Sequence, residues 1–183
     1  QVIICASTHS PEEKILINAF ELLKNEKVVL ILVPRHPERA YKILKEMKNS
    51  NLEVALFSEN KFQLDFSKRI NLIDEIGYLE DLFSLADIAF IGGTLIPHGG
   101  QNFLEAVRYS LPISSGNSFY NFQEIAEDLI EMNILEVGNN AEQLKSIWQK
   151  QLTMDSEEIS KHTKDYLEQR EGASKRTFEY LSL

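Results

Sequence analysis

Short, continuous apolar runs alternating with longer stretches of helical period constrain this chain more than any other feature. Val2-Ile3-Ile4-Cys5-Ala6, Val28 to Val33, Val54 to Phe57, Ile70 to Ile73, Ile88 to Ile91, Pro112 to Ser114 and Ile134 to Val137 each read as a strand. Runs without polar alternation belong to strands covered on both faces, and strands separated by helical segments pair in parallel. The predicted fold is α/β: a Rossmann-like parallel sheet flanked by helices.

The helical segments carry their own signals. Ser10-Pro11-Glu12-Glu13 reads as a capping box with proline at the first helical position. It predicts a helix burying Ile15, Leu16, Ala19, Phe20 and Leu23. A second helix places Ala40, Ile43, Leu44 and Met47 on one stripe, with Arg39, Lys42, Lys45 and Lys48 facing away. A short helix is expected around Leu79 to Ala86, one opening near Asn102, and one burying Phe122, Ile125, Ala126, Leu129 and Ile130. Beyond Ala141 the strands stop. Leu144, Ile147, Trp148 and Leu152 mark one helix, Ile159, Tyr166 and Leu167 another, and a last helical stretch runs to Leu183. Ser58 to Ser67 reads as a surface loop.

At 183 residues with a 43% hydrophobic share, the chain can build one core without metal or disulfide staples. Residues 1–183 are expected to form a single domain, with the late helices of 141–183 packed on it. The lone Cys5 lies in an apolar strand and reads as a small buried hydrophobe. A net charge of −9 would repel a phosphate backbone, so nucleic acid is not an expected partner. No stretch approaches the roughly 20 apolar residues that cross a bilayer, and the fragment is expected to be soluble. The chain begins at Gln1 and enters a strand directly, as a piece cut from a longer protein would, so part of any active site is expected elsewhere.

In a doubly wound sheet, ligands bind beyond the carboxyl ends of the strands. The residues there are Ser7-Thr8-His9, Pro34-Arg35-His36, Asp74 to Gly77, Gly92-Gly93-Thr94 through Gly99-Gly100-Gln101-Asn102, and Ser115-Gly116. The glycine loop from Gly92 to Gln101 leads into a helix whose N-terminus carries partial positive charge, so loop and helix read as an anion cradle. The alternative is that its glycines only serve tight turns. Arg35 could fork onto a phosphate or carboxylate, or be solvated and paired with Glu38. Glu105 could accept ribose hydroxyls, or merely compensate a helix dipole. His9, His36 and His98 all fall in rim loops but lack metal-ligand spacing, so neither metal nor cofactor is expected.

Ala6-Ser7-Thr8-His9, Leu32 to Arg39, Ala86 to Thr94, Gly99 to Glu105 and Asn121-Phe122-Gln123-Glu124-Ile125 resemble, in order, successive motifs of the Kdo transferases of lipopolysaccharide synthesis. The resemblance runs from about Ile3 to Trp148. It implies the C-terminal half of a GT-B glycosyltransferase, holding the donor CMP-Kdo, while a missing N-terminal domain supplies the catalytic base and receives the lipid A precursor. It implies inverting, metal-independent transfer of Kdo to that acceptor, at the cytoplasmic face of the inner membrane, with membrane contact made only by the full-length protein and an isolated fragment that is inactive. Its donor contacts fall on Pro34, Arg35, His36, Ile76, Gly77, Tyr78, Gly93, Gly100, Gln101, Asn102, Phe103, Leu104 and Glu105. The chain departs from the family at Tyr78, where Glu is usual, at Phe103, where proline is usual, and at Ser118 or Phe119, where histidine is usual. Two other readings stay open: a GT-B enzyme or epimerase with a UDP-linked sugar, and a non-catalytic nucleotide-sugar-binding module.

Overall fold

The computed structural model describes residues 1–47 and 52–181, with side chains as far as Arg170. Its strands are β1 (Val2–Thr8), β2 (Val29–Pro34), β3 (Val54–Leu56), β4 (Ile70–Leu72), β5 (Ile88–Ile91), β6 (Ile113–Ser115) and β7 (Leu135–Val137). They form one 7-stranded sheet in the order β3-β4-β2-β1-β5-β6-β7, every pair parallel. The apolar runs thus become strands of a sheet covered on both sides.

Alternation along each strand shows why. Ile3, Cys5, Leu30, Leu32, Ile70, Leu72, Ile88 and Phe90 join a core with Leu16, Phe20, Ile43 and Trp148. Their neighbours Ile4, Ala6, Ile31, Val33, Ile73, Ala89 and Ile91 join a second core with Phe83, Phe103, Val107, Ala126, Leu129 and Tyr166. Each buried side chain of this size contributes about 1.5–3 kcal/mol relative to exposure. A slip of one residue would exchange the two cores, so register is firmly set.

The helices are α1 (Glu12–Leu23), α2 (Ala40–Glu46), α3 (Leu79–Phe83), α4 (Leu104–Arg108), α5 (Gln123–Glu131), α6 (Ala141–Gln151) and α7 (Ser156–Leu181). α6 packs on α1, and α7 touches α4. The buried indole of Trp148 donates to Ser114 Oγ at 2.9 Å, tying α6 to β6. Lys48 lies outside the described residues, as do Ser182 and Leu183.

Several local expectations are corrected. Ile159, Tyr166 and the stretch after them form one helix of 26 residues, not two. Ile130, expected in the core, is 39% exposed. Ser10 does not cap α1: Pro11 takes the N-cap position and no side chain caps that end. Glu12 and Glu13 turn inward instead, at 0% and 4% exposure.

Candidate functional site

Successive connections from β1 lead to β2 on one side and from β5 to β6 on the other, so the switch point of the sheet lies between β1 and β5. There the chain is tightly bent. Ser7 adopts φ +53° and the β1–β2 register shifts between Ala6 and Thr8. Left-handed backbone costs a non-glycine residue roughly 1–2 kcal/mol. Opposite it, a Cβ on Gly92 would overlap the Ser7 carbonyl and Thr8 Cα, so only glycine lets the loop after β5 pass this close.

Two buried carboxylates at the start of α1 hold these loops. Glu12 Oε2 accepts the backbone N–H of Gly93 at 2.7 Å and of His9 at 2.8 Å, while Oε1 accepts those of Thr94 and Leu95 at 2.9 Å each. Glu13 accepts a fork from Arg39, at 2.8 and 3.1 Å, and the Thr8 hydroxyl at 3.0 Å. Glu12 therefore fastens the loop after β5, and Glu13 fastens the turn after β2. Glu12 thus takes the Gly93, Thr94 and Leu95 amides of the glycine loop, so these three are not free for an anion. The helix that follows is also only 5 residues long, and the N–H of Leu104 is accepted by Asn102 Oδ1 at 3.1 Å.

The positive and polar side chains converge nonetheless. Arg35, Gln101, Asn102 and Glu105 line one cleft of about 200 Å³ with Ala6, Ser7, Leu79, Phe83 and Ile91. Asn102 Nδ2 reaches Glu105 Oε1 at 3.3 Å. Arg35 has no carboxylate partner within 4 Å among the described residues, and the pairing with Glu38 raised from the sequence is not present. An exposed guanidinium, side-chain amides and a carboxylate on one wall suit a phosphate joined to a sugar bearing hydroxyls. A larger space of about 750 Å³ lies at the opposite, amino-terminal end of the strands, beside Asp87, Pro112, Gln151 and α7. Size does not locate the site; strand ends and side-chain chemistry do.

Other residues implied by the resemblance lie around this cleft or behind it. Ile76 is 79% exposed and Gly77, at φ +94°, has open space where a Cβ would be. Tyr78 meets the Phe57 ring at 4.9 Å and stacks on Phe62 at 6.5 Å. These residues flank the cleft without lining it. Pro34 is buried at the end of β2, and Gly100 donates its N–H to the Gly93 carbonyl at 2.9 Å. Phe103 is fully buried between Phe119 and Phe122, and Leu104 packs against the same core, so neither side chain faces the cleft. Leu79 and Phe83, four positions apart on α3, form its apolar wall and were not anticipated; that spacing directly after a strand-end loop was their only signal.

The rim histidines meet beside the cleft. The His9 ring lies 4.1 Å from that of His98 and 5.9 Å from that of His36. Burial, then the neighbouring His98, His36 and Arg39, push the His9 pKa down to about 4 against a smaller opposing effect of Glu13. At neutral pH the ring is uncharged, and its Nε2 lies 3.2 Å from the Gln101 side-chain amide, which it can accept. Among the described residues no group of His, Cys, Asp or Glu is arranged to hold a metal ion. Nor is any described helix long and apolar enough to cross a membrane.

Comparison with known proteins places these features in a family context. No family model matches the chain. A curated relative from Haemophilus influenzae, 3-deoxy-D-manno-octulosonic acid transferase, is 35% identical over 145 residues, 78% of this chain and 34% of the relative. The chain spans about a third of the length of such curated relatives. Among solved structures, the C-terminal CMP-Kdo binding domain of WaaA from Acinetobacter baumannii is 32% identical with a TM-score of 0.84, covering 91% of this chain and 89% of that one. A UDP-forming trehalose-phosphate synthase from Burkholderia xenovorans, at 17% identity and a TM-score of 0.61, covers 91% of this chain and 40% of its own. That last likeness concerns the fold alone.

Proposed function

Because the chain belongs to the Kdo transferase family and has the fold of a GT-B glycosyltransferase domain, we propose that it is the donor-binding domain of an enzyme moving Kdo from CMP-Kdo to a lipid A precursor. Residues 1–183 act as one domain, and a second domain supplies the acceptor site and the base. The observation that carries this reading is the convergence of Arg35 and Glu105 on one cleft at the switch point of the sheet.

The demanding step is charge growing on the departing phosphate as the bond to the anomeric carbon breaks. Arg35 stabilises that charge, with the side-chain amides of Gln101 and Asn102 as further donors, in place of the loop amides that Glu12 occupies. Preorganised donors of this kind are worth several kcal/mol in a transition state. Glu105 accepts hydroxyls of the ribose, and the loop of Ile76, Gly77 and Tyr78 covers the nucleotide from outside. His36 borders the sugar side, Gly93 and Gly100 shape the loop, and Pro34, Phe103 and Leu104 support it from the core. The attack is inverting, and no metal takes part, since the positive field comes from Arg35.

A space of about 200 Å³ encloses only part of a nucleotide sugar, whose sites usually measure about 300–1,000 Å³. The facing domain closes the rest, so the isolated chain binds donor and transfers nothing. The full-length enzyme works at the cytoplasmic face of the inner membrane, where its acceptor lies. Calorimetric titration of the chain with CMP, UMP and UDP tests the reading. Tightest binding of CMP is expected; preference for UDP would instead assign a UDP-linked donor, and no binding of any nucleotide would remove the donor assignment.

A further inference from the structure

Resting on the donor reading above, we propose that the imidazoles of His9, His36 and His98 form a subsite for the carboxylate of the donor's sugar acid, alongside the nucleotide cleft. The rings come from the loops after β1, β2 and β5, brought within 4.1 and 5.9 Å of His9 by the sheet order. Contact with the cleft is direct, because Gln101 both lines it and lies 3.2 Å from His9 Nε2.

Burial first, then His98 from the loop after β5 and His36 and Arg39 from the turn after β2, disfavour a proton on His9, and Glu13 of α1 favours one, so the ring is held neutral. Glu13 is committed to the Arg39 fork and the Thr8 hydroxyl, and Glu12 to backbone amides. Glu38, 3.6 Å from His36, is 75% exposed. The patch therefore has ring N–H donors, while the Arg39 charge is already paired with Glu13 and the two buried carboxylates are committed to other partners. A 2-carboxylate on the transferred sugar is a strong acceptor for such ring N–H groups, whereas a neutral hexose lacks one. Holding that group would also fix the anomeric carbon relative to Arg35.

The test follows the His9 ring by NMR across pH in the intact chain, with free Kdo, its uncharged methyl ester, or inorganic phosphate present. Without ligand, titration is expected near pH 4. Free Kdo should raise the midpoint by about one pH unit, as an adjacent opposite charge does, and the ester and phosphate should not. No movement with Kdo, or equal movement with phosphate, overturns the proposal. Free Kdo makes this result independent of whether CMP binds, so failure of the nucleotide reading is scored separately. As a second measurement, His98→Gln should lower the ratio of CMP-Kdo to CMP affinity about tenfold, roughly one charge-assisted hydrogen bond; an unchanged ratio also counts against it.

Discussion

The carboxylate of Glu12 accepts the backbone N–H of Gly93 at 2.7 Å, joining positions 81 residues apart. With its bonds to Thr94, Leu95 and His9, this contact fastens the loop after β5 to the start of α1. The adjacent Glu13 does the same for the turn after β2 through Arg39. One helix turn thus sets the separation of Arg35 from Asn102 and Glu105, the spacing on which the proposed grip of one phosphate and one ribose depends.

Replacing that carboxylate should be costly. In Glu12→Gln the side chain turns an NH₂ toward backbone donors, and the protein should lose about 2–3 kcal/mol of stability in denaturant unfolding. Glu105→Gln, at a half-buried carboxylate with one long contact, should change stability by less than about 0.5 kcal/mol. Equal losses in the two variants would show that Glu12 does not clamp the loop.

The sheet was largely legible because strands buried on both faces need apolar residues at every position, as Ile88 to Ile91 show. The rim was legible for the same reason, since strand ends locate it. What local pattern could not show was partnership across the chain. Ser10 to Glu13 has the spacing of a capping box, yet the buried amides of Gly93 to Leu95 and the Arg39 fork offered Glu12 and Glu13 stronger partners than their own helix end. That the amides of Gly93 to Leu95 are taken was hidden for that reason. The histidines looked unrelated because only the β2-β1-β5 adjacency brings them together. A helix start at Asn102 was legible, but not that α4 would stop at Arg108.

Gly92→Ala should destabilise the domain by about 2 kcal/mol or more, because the new methyl meets Ser7 and Thr8 backbone that cannot move without disturbing β1. Gly77→Ala, with open space at the Cβ position, should cost only the strain of its φ of +94°, about 1 kcal/mol. Thermal melting of both variants checks the order; a milder effect at Gly92 would contradict the close approach described.

The pH dependence of stability should carry the mark of His9. Its pKa is lowered from 6.5 to about 4 on folding, so between these values the unfolded chain binds the extra proton and the folded one does not. Stability from this group is full above pH 6.5 and falls progressively as pH drops toward 4. His9→Gln should flatten that part of a melting-temperature profile, and an unchanged slope would mean His9 is not held neutral.

Arg35→Ala should weaken CMP binding by about 1.5–3 kcal/mol, the loss of a hydrogen bond to a charged group. Because the guanidinium is exposed and makes no ion pair among the described residues, stability should hold within about 0.5 kcal/mol. Calorimetry and melting on the same sample separate the two effects; unchanged affinity would remove Arg35 from the site.

A crystal structure of this chain with CMP tests the arrangement most directly. The phosphate is expected within hydrogen-bonding distance of the Arg35 guanidinium, with a ribose hydroxyl on Glu105. Nucleotide bound instead in the larger space beside Asp87 and Gln151, at the amino-terminal ends of the strands, would contradict it.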